Sequence, residues 1–398
     1  MEYGGGGGDS SSGPTGDRAM YLKRANIFYA IVFIVFAILM YILRYTGKDW
    51  LGKIVKTDFK NDANALGEQL VGRTSFALAL WFLIHSILCL CNKNLTDSYQ
   101  FFFHTQWLSI HVVVLIAMWI ACWFIPDALF SVYLKAAMYI SLIYLVIQIL
   151  ILLDFFHELN EYFVEKENMA WPITILVILS VGTVVGYGVC YWLFGKKGCN
   201  ANIGILTVNL IVCIIFWAVS AFMEHLSVLT ASMIDAYVTY LTCMGLFCEG
   251  DANCNRLAGS TSSIWLSIVA SLFTLCWAGY SAFTSTYKYQ ILSCGCCCEE
   301  GECCQEEGAC HNCCNCLEQD EEAKQFSLSF FHILFALASV YVSMVTTSWL
   351  SSHSEKASWV VDRGYIAKWV NIAVSYAVIL LYTWVIIAPL VCTDREFD

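Results

Sequence analysis

Ten long apolar runs dominate this chain and leave it few ways to fold. They are Asn26–Tyr45, Thr74–Cys91, Trp107–Ile125, Ala128–Leu153, Trp171–Phe194, Ile203–Phe222, Leu226–Phe247, Ile264–Phe283, Ser327–Leu350 and Ala367–Val391. A helix needs about 20 mostly apolar residues to cross a hydrocarbon core of about 30 Å, and each run is of that order. In lipid every backbone polar group has to be bonded within its own segment, so helix is the economical reading. Few runs alternate in the period-2 manner of a membrane barrel. Trp171 and Trp192 stand 21 residues apart, about 31 Å along a helix, which puts an indole at each interface.

Composition argues against a water-soluble bundle. Of the 398 residues, 59% are hydrophobic and 13% charged, against about 25% charged in a soluble domain. The net charge of −11 is uneven, because nine of the 32 acids lie between Glu299 and Glu322. Nothing is basic enough to suggest nucleic acid. The expectation is an all-α membrane protein with ten transmembrane helices.

Residues 1–24 read as a flexible Gly/Ser-rich head, with Gly4–Gly8 and Ser10–Ser12 in it. Residues 25–292 carry the first eight runs, 293–326 an acidic cysteine-rich loop, and 327–398 the last two runs and a short tail. No cleavable signal pattern is visible, so Asn26–Tyr45 reads as an uncleaved signal anchor. Ten spans put both termini and the cysteine loop on one face, A. The opposite face, B, holds the loops Gly47–Arg73, Gly195–Asn202, Cys248–Ser263 and Ser351–Lys368. The Lys and Arg count leans slightly toward B being cytosolic, whereas Lys23–Arg24 beside the first span leans the other way. Charge alone leaves the orientation open.

The fourth run outlasts the membrane. Ala128 to Lys166 contains no Pro or Gly, and as one helix it would be roughly 58 Å long. A helix of that length has to tilt or run out along the interface. In its second half Asp154, His157, Glu158 and Glu161 recur at steps of three and four and so share a face. Either these acids meet water at the interface, or they form a polar face inside the bundle that handles headgroups, ions or protons. Asp235 lies mid-span in the seventh run and reads as a functional acid or as a hydrogen-bonded structural one. His332, one turn into the ninth run, has interfacial placement as its plainer reading. His85 and His111 are single in sequence and read as packing residues, and Glu224-His225 as solvated.

Ten cysteines crowd between Cys294 and Cys316. Cys294-x2-Cys297-x12-Cys310-x2-Cys313 has a four-thiolate zinc spacing, but so dense a run produces such matches cheaply. Juxtamembrane cysteines are equally sites of S-acylation, and a reduced loop with neither is the third reading. Cys199, Cys248 and Cys254 fall in face-B loops; if that face is lumenal two of them can pair, and spacing does not choose which. Asn94-Leu95-Thr96 fits the glycosylation pattern on face A, where a cytosolic location would leave it unmodified. No nucleotide-binding loop, nucleophile–base pair or zinc-protease motif is present, so neither an enzyme nor a cofactor is expected.

Several patches together resemble one family. They are Leu153-Asp154-Phe155-Phe156-His157 with Asn160-Glu161, Tyr237-Val238-Thr239-Tyr240-Leu241-Thr242, Ser329-Phe330-Phe331-His332 with Thr347-Ser348-Trp349, and Leu380-Leu381-Tyr382-Thr383-Trp384 with Ala388-Pro389-Leu390-Val391. Gly198-Cys199 and Cys254-Asn255 add loop features. In these the chain is similar to the serine incorporator (SERINC) family, in patches from about residue 25 to the end. It departs in its glycine-rich, cysteine-free head, in a first face-B loop without cysteine, and in Asp235, where the family pattern is uncharged.

The resemblance implies two helical subdomains crossed by a long tilted helix, which suits the overlong fourth run. It implies cytosolic termini, an endomembrane or plasma-membrane location, and Cys199–Cys254 as the disulfide. It also implies one of two activities. The first is ATP-independent scrambling of phospholipids between leaflets; the second is serine supply for phosphatidylserine and sphingolipid synthesis. The first suits the residues better, with Asp154, His157, Asn160, Glu161 and Asp235 along a headgroup pathway and Tyr237, Tyr240 and Thr242 supplying hydroxyls. Phospholipids, and serine on the second reading, are the expected partners. A third reading is a non-transporting adaptor, acting through an unidentified cytosolic partner of the acidic loop. A homo-oligomer is left open.

Overall fold

The structure, a computed structural model, describes residues 14–52, 54–59, 62–89, 98–165, 170–223, 226–249, 251, 253–257, 328–350 and 364–391. The described residues form helices α1 (Pro14–Trp50), α2 (Ala63–Leu88), α3 (Ser98–Thr105), α4 (Leu108–Cys122), α5 (Asp127–Glu165), α6 (Ala170–Phe194), α7 (Asn200–Phe222), α8 (Val228–Phe247), α9 (Leu328–Thr346) and α10 (Tyr365–Val391). Nine of the ten apolar runs fall on these helices. Ile264–Phe283 lies outside the described residues, as do the head up to Gly13, the glycosylation pattern at Asn94, Glu224-His225, the cysteine loop and the tail after Val391.

Local chemistry sets several ends. The Asp62 side chain accepts from the backbone N–H groups of Asn64 and Ala65 and caps α2. Ser227 caps α8 in the same way through the Leu229 N–H. Pro126 fixes the chain just before α5, where a missing N–H costs nothing. The third run gives a shorter helix than its sequence promises. Trp107 takes a left-handed conformation at φ 55°, which cuts α3 from α4, and α4 ends after 15 residues where Arg73 captures the carbonyls of Cys122 and Ile125.

Among the described residues, seven helices (α1, α2, α5, α6, α7, α9 and α10) are long and apolar enough to cross a membrane. In α8 the run is interrupted by Thr230, Ser232, Asp235, Thr239 and Thr242, all buried. Large aliphatic side chains stay exposed along α1, α5, α6, α7 and α10, among them Val35, Ile143, Val177, Ile211 and Leu380. Such stripes are what a hydrocarbon solvent tolerates. Trp171 and Trp192, at 65% and 64% exposure, mark the two ends of α6.

Packing sorts the helices into two groups. α9 lies against α2 and α5, with α1, α3 and α4 completing the first group; α8 lies against α6, α7 and α10 in the second. α5 packs on α2 and α9 of one group and on α6, α8 and α10 of the other. It is unbroken for 39 residues. Within the second group α6 and α8 run parallel, as the pairs Ser180–Ser232 and Cys190–Cys243 show. α7 runs antiparallel to α8, with Asn209 bonded to Thr242 and Trp217 to Ser232. Gly245 lets α10 approach: a Cβ there would sit 2.8 Å from Ile372 Cδ1 and 3.2 Å from the Lys368 carbonyl.

Buried charge locks the loops of face B. Arg73, fully buried, donates to Asp127 Oδ1 at 2.8 Å and to the carbonyls of Lys56, Ile125 and Cys122 at 2.9, 3.0 and 3.1 Å. Its guanidinium also stacks over Phe130, 4.6 Å from the ring centre. In the second group Lys368 pairs with Glu249 and donates to Asn202 Oδ1 at 3.0 Å. Beside it Cys199 and Cys254 are joined by a disulfide. Described residues of the loops that sequence assigned to face B thus meet one another within each group.

Candidate functional site

The polar end of α5 is built by helical phase. Asp154, His157, Glu158 and Glu161 follow the apolar turn Ile151–Leu153 and occupy one side of the same helix. Asp154 is half-buried, while His157, Glu158 and Glu161 are exposed. Asn160 is half-buried, and its Oδ1 accepts a hydrogen bond from the Ser227 hydroxyl at 2.6 Å. This bond brings the polar stretch of α5 against the start of α8.

Further along α8, Tyr237 and Tyr240 stack at 6.3 Å between ring centres. Tyr237 also neighbours Tyr144 of α5, which in turn packs on Tyr341 of α9 at 5.1 Å. Four tyrosines therefore gather between α5, α8 and α9. The polar stretch of α5 and these rings lie along the same pair of helices.

Asp235 and Thr242 lie elsewhere. A step of two residues turns a helix by about 200°, so Asp235 points away from the side that carries Tyr237. Asp235 neighbours Cys213 on α7, Tyr187 on α6 and Tyr382 on α10. Its oxygens are buried and have no partner in good hydrogen-bonding geometry. Thr242 accepts from Asn209 at 2.7 Å and is fully buried against α7. The eight residues named for the headgroup pathway thus divide into two places. Asp154, His157, Asn160, Glu161, Tyr237 and Tyr240 follow the α5–α8 side, while Asp235 and Thr242 sit inside the second helix group.

Of the cysteines, Cys294, Cys297, Cys310 and Cys313 lie outside the described residues. Among the described residues no group of His, Cys, Asp or Glu is arranged to hold a metal ion. A second disulfide joins Cys190 to Cys243 across α6 and α8. Sequence inspection passed over that pair because both lie inside apolar runs, where cysteine is by default a small hydrophobe. It also missed a buried cluster formed by His85, His104, His111 and His332. Its members come from four helices, and no local spacing announces them.

Comparison with known proteins agrees with this architecture. The family profile described as serine incorporator (Serinc) matches residues 19–395. A probable serine incorporator of Dictyostelium discoideum is 24% identical over 97% of this chain and 99% of its own length. Serine incorporator 3 of Mus musculus is 26% identical over 87% of this chain and 84% of its own. A probable serine incorporator of Nematostella vectensis is 26% identical over 84% and 81%. With nearly its whole length matched by the profile and seven span-length helices among the described residues, the chain belongs to the serine incorporator family of multi-pass membrane proteins.

Proposed function

We propose that this protein lets phospholipids equilibrate between leaflets without ATP, in a ten-span fold whose two subdomains are crossed by α5. The observation that carries this reading is the continuity of α5, an apolar span that ends in exposed His157, Glu158 and Glu161 and is held to α8 through Asn160 and Ser227. A headgroup leaving water loses its hydrogen bonds, and an uncompensated polar group in oil costs several kcal/mol. Acids, an imidazole and amide groups along one helix edge replace part of that hydration while acyl chains stay in the membrane. Half-buried Tyr237 and Tyr240 extend the edge with rings of mixed polarity, with Tyr144 and Tyr341 buried behind them.

The test is purified protein in vesicles carrying labelled phospholipid in one leaflet, with no ATP. Exchange faster than in empty vesicles, slowed several-fold by joint replacement of His157 and Glu161 with Ala, supports the reading. A rate equal to empty vesicles removes it. A second reading, carriage of serine toward phosphatidylserine and sphingolipid synthesis, is favoured by the names of the relatives. It expects saturable serine uptake into the same vesicles.

A further inference from the structure

α6 and α8 meet as a ladder of paired residues, and one rung of it is unpaired. Ser180 and Ser232 lie 3.3 Å apart, hydroxyl to hydroxyl. A Cβ on Gly186 would stand 3.0 Å from Thr239 Cγ2. Cys190 and Cys243 are joined by a disulfide. The bonded pairs are 52 and 53 positions apart. The same offset sets Thr183 level with Asp235, between the serine pair and the Gly186–Thr239 contact. Both residues are buried, at 1% and 0% exposure.

The polar atoms of this rung are orphans. Thr183 Oγ1 and both carboxylate oxygens of Asp235 are buried without a hydrogen bond, to each other or to any neighbour. The rungs on either side are satisfied. The Ser232 hydroxyl donates to the Val228 carbonyl at 2.9 Å and accepts from Trp217 Nε1 at 3.1 Å. The Thr239 hydroxyl donates to the backbone carbonyl of Asp235 at 2.7 Å. Among the described residues the titratable neighbours of Asp235 are Tyr187 of α6, Cys213 of α7 and Tyr382 of α10. The Tyr187 hydroxyl lies 3.6 Å from Cys213 Sγ, and the Tyr382 hydroxyl 3.4 Å from that of Ser220. A cationic side chain paired with Asp235 would be a partner of its oxygens, and they have none. The apolar run Ile264–Phe283, outside the described residues, contains no Lys, Arg or His.

We propose that Asp235 and Thr183 bind one monovalent alkali cation inside the second helix group, with the Tyr187 and Tyr382 phenols as further oxygen ligands. A bare carboxylate at this depth is costly and calls for an opposite charge. A water molecule between Thr183 and Asp235 would make hydrogen bonds but leave the charge; a cation answers both needs. The donor set chooses the ion. Four of the five side chains are oxygen donors, which suits a hard cation, and the Cys213 sulfur is the soft exception. One carboxylate balances one positive charge. Calcium recruits several carboxylates, and magnesium keeps several waters that a buried rung does not accommodate. Among the described residues no His, Cys, Asp and Glu group suited to such a metal exists here. The bound ion links α6 and α8 at the rung where they are otherwise unpaired, and reaches α10 through Tyr382. The second helix group is therefore stabilised by the ion.

The experiment uses the full chain in lipid nanodiscs. Unfolding temperature is followed as sodium or potassium chloride replaces choline chloride at constant ionic strength, and bound ²²Na⁺ and ⁸⁶Rb⁺ (the latter standing for potassium) are counted on the same samples. The expected result is a rise to a plateau with one of these ions and one bound ion per chain. Asp235→Asn is expected to abolish both the rise and the binding, and Thr183→Val to weaken binding several-fold. Absence of either ion from the unmodified chain overturns the proposal. So does an infrared band of a protonated carboxyl that disappears in Asp235→Asn and persists at saturating sodium and potassium, because Asp235 is then a neutral acid. Binding that survives Asp235→Asn places the ion elsewhere and overturns it as well, and full competition by millimolar calcium overturns the monovalent assignment. If Asp235→Asn does not fold, the count on the unmodified chain and the Thr183→Val variant decide, with unweakened binding in the latter against the site.

Discussion

The Ser227 hydroxyl donates to Asn160 Oδ1 at 2.6 Å while accepting from the Leu229 N–H at 3.2 Å, so one side chain both caps α8 and anchors the polar end of α5. The two roles separate by substitution. Asn160→Ala removes the inter-helix bond and is expected to cost about 1 kcal/mol. Ser227→Ala removes the bond and the cap, and is expected to cost about 2 kcal/mol. Thermal unfolding of the two variants in the same detergent checks the order. Equal losses would mean that the cap contributes nothing beyond the Asn160 contact.

The Arg73–Asp127 pair makes a different prediction. Arg73→Met leaves a buried carboxylate and the carbonyls of Lys56, Cys122 and Ile125 without their donor. Breaking a buried pair in this way costs about 3–5 kcal/mol. Adding Asp127→Leu to Arg73→Met removes the stranded charge and is expected to recover part of the loss. Recovery remains incomplete, because Asp127 Oδ2 also accepts from the Asp58 N–H at 2.7 Å. A double-mutant cycle on thermal stability reads the coupling, and simple additivity would contradict it.

What the sequence made legible was local. The unbroken 39-residue α5 and the indoles at both ends of α6 follow from periodicity and residue type within one segment. Contacts between distant segments were not legible. His104 and His332 bond across 228 positions; sequence placed His332 at the interface, where the structure buries it, and did not single out His104. The split of the headgroup residues was half legible. Asp235 and Tyr237 are two apart and cannot share one side of a helix, but only the packing tells which side meets α5. The short α4 depended on Trp107 adopting a conformation that few non-glycine residues take.

The Cys199–Cys254 disulfide closes a 55-residue separation, for which chain entropy gives about 4 kcal/mol. Cys199→Ser is therefore expected to lower the unfolding temperature markedly and to raise the loss seen on replacing Lys368, which holds the same end of α7 through Asn202. Maleimide mass-tagging with and without prior reduction checks the bond itself. Tagging of Cys199 and Cys254 only after reduction fits an oxidising compartment on that side. Tagging without reduction would place these loops in a reducing one.

Acid sensitivity is the last expectation. In the folded protein His104 stays neutral down to about pH 3, whereas in the unfolded chain it takes a proton at about 6.5. The unfolded state then binds more protons as pH falls, so this residue's stabilisation is complete above about 6.5 and declines toward 3. By pH 5 the decline amounts to about 2 kcal/mol. Unfolding temperature measured from pH 7 to pH 5 in nanodiscs is expected to drop, and in His104→Gln, whose amide replaces the ring with a group that does not titrate, to drop less. The difference between the two slopes therefore reports His104. Parallel slopes would show that its ring is reached by water and titrates in the folded state as it does in the unfolded one.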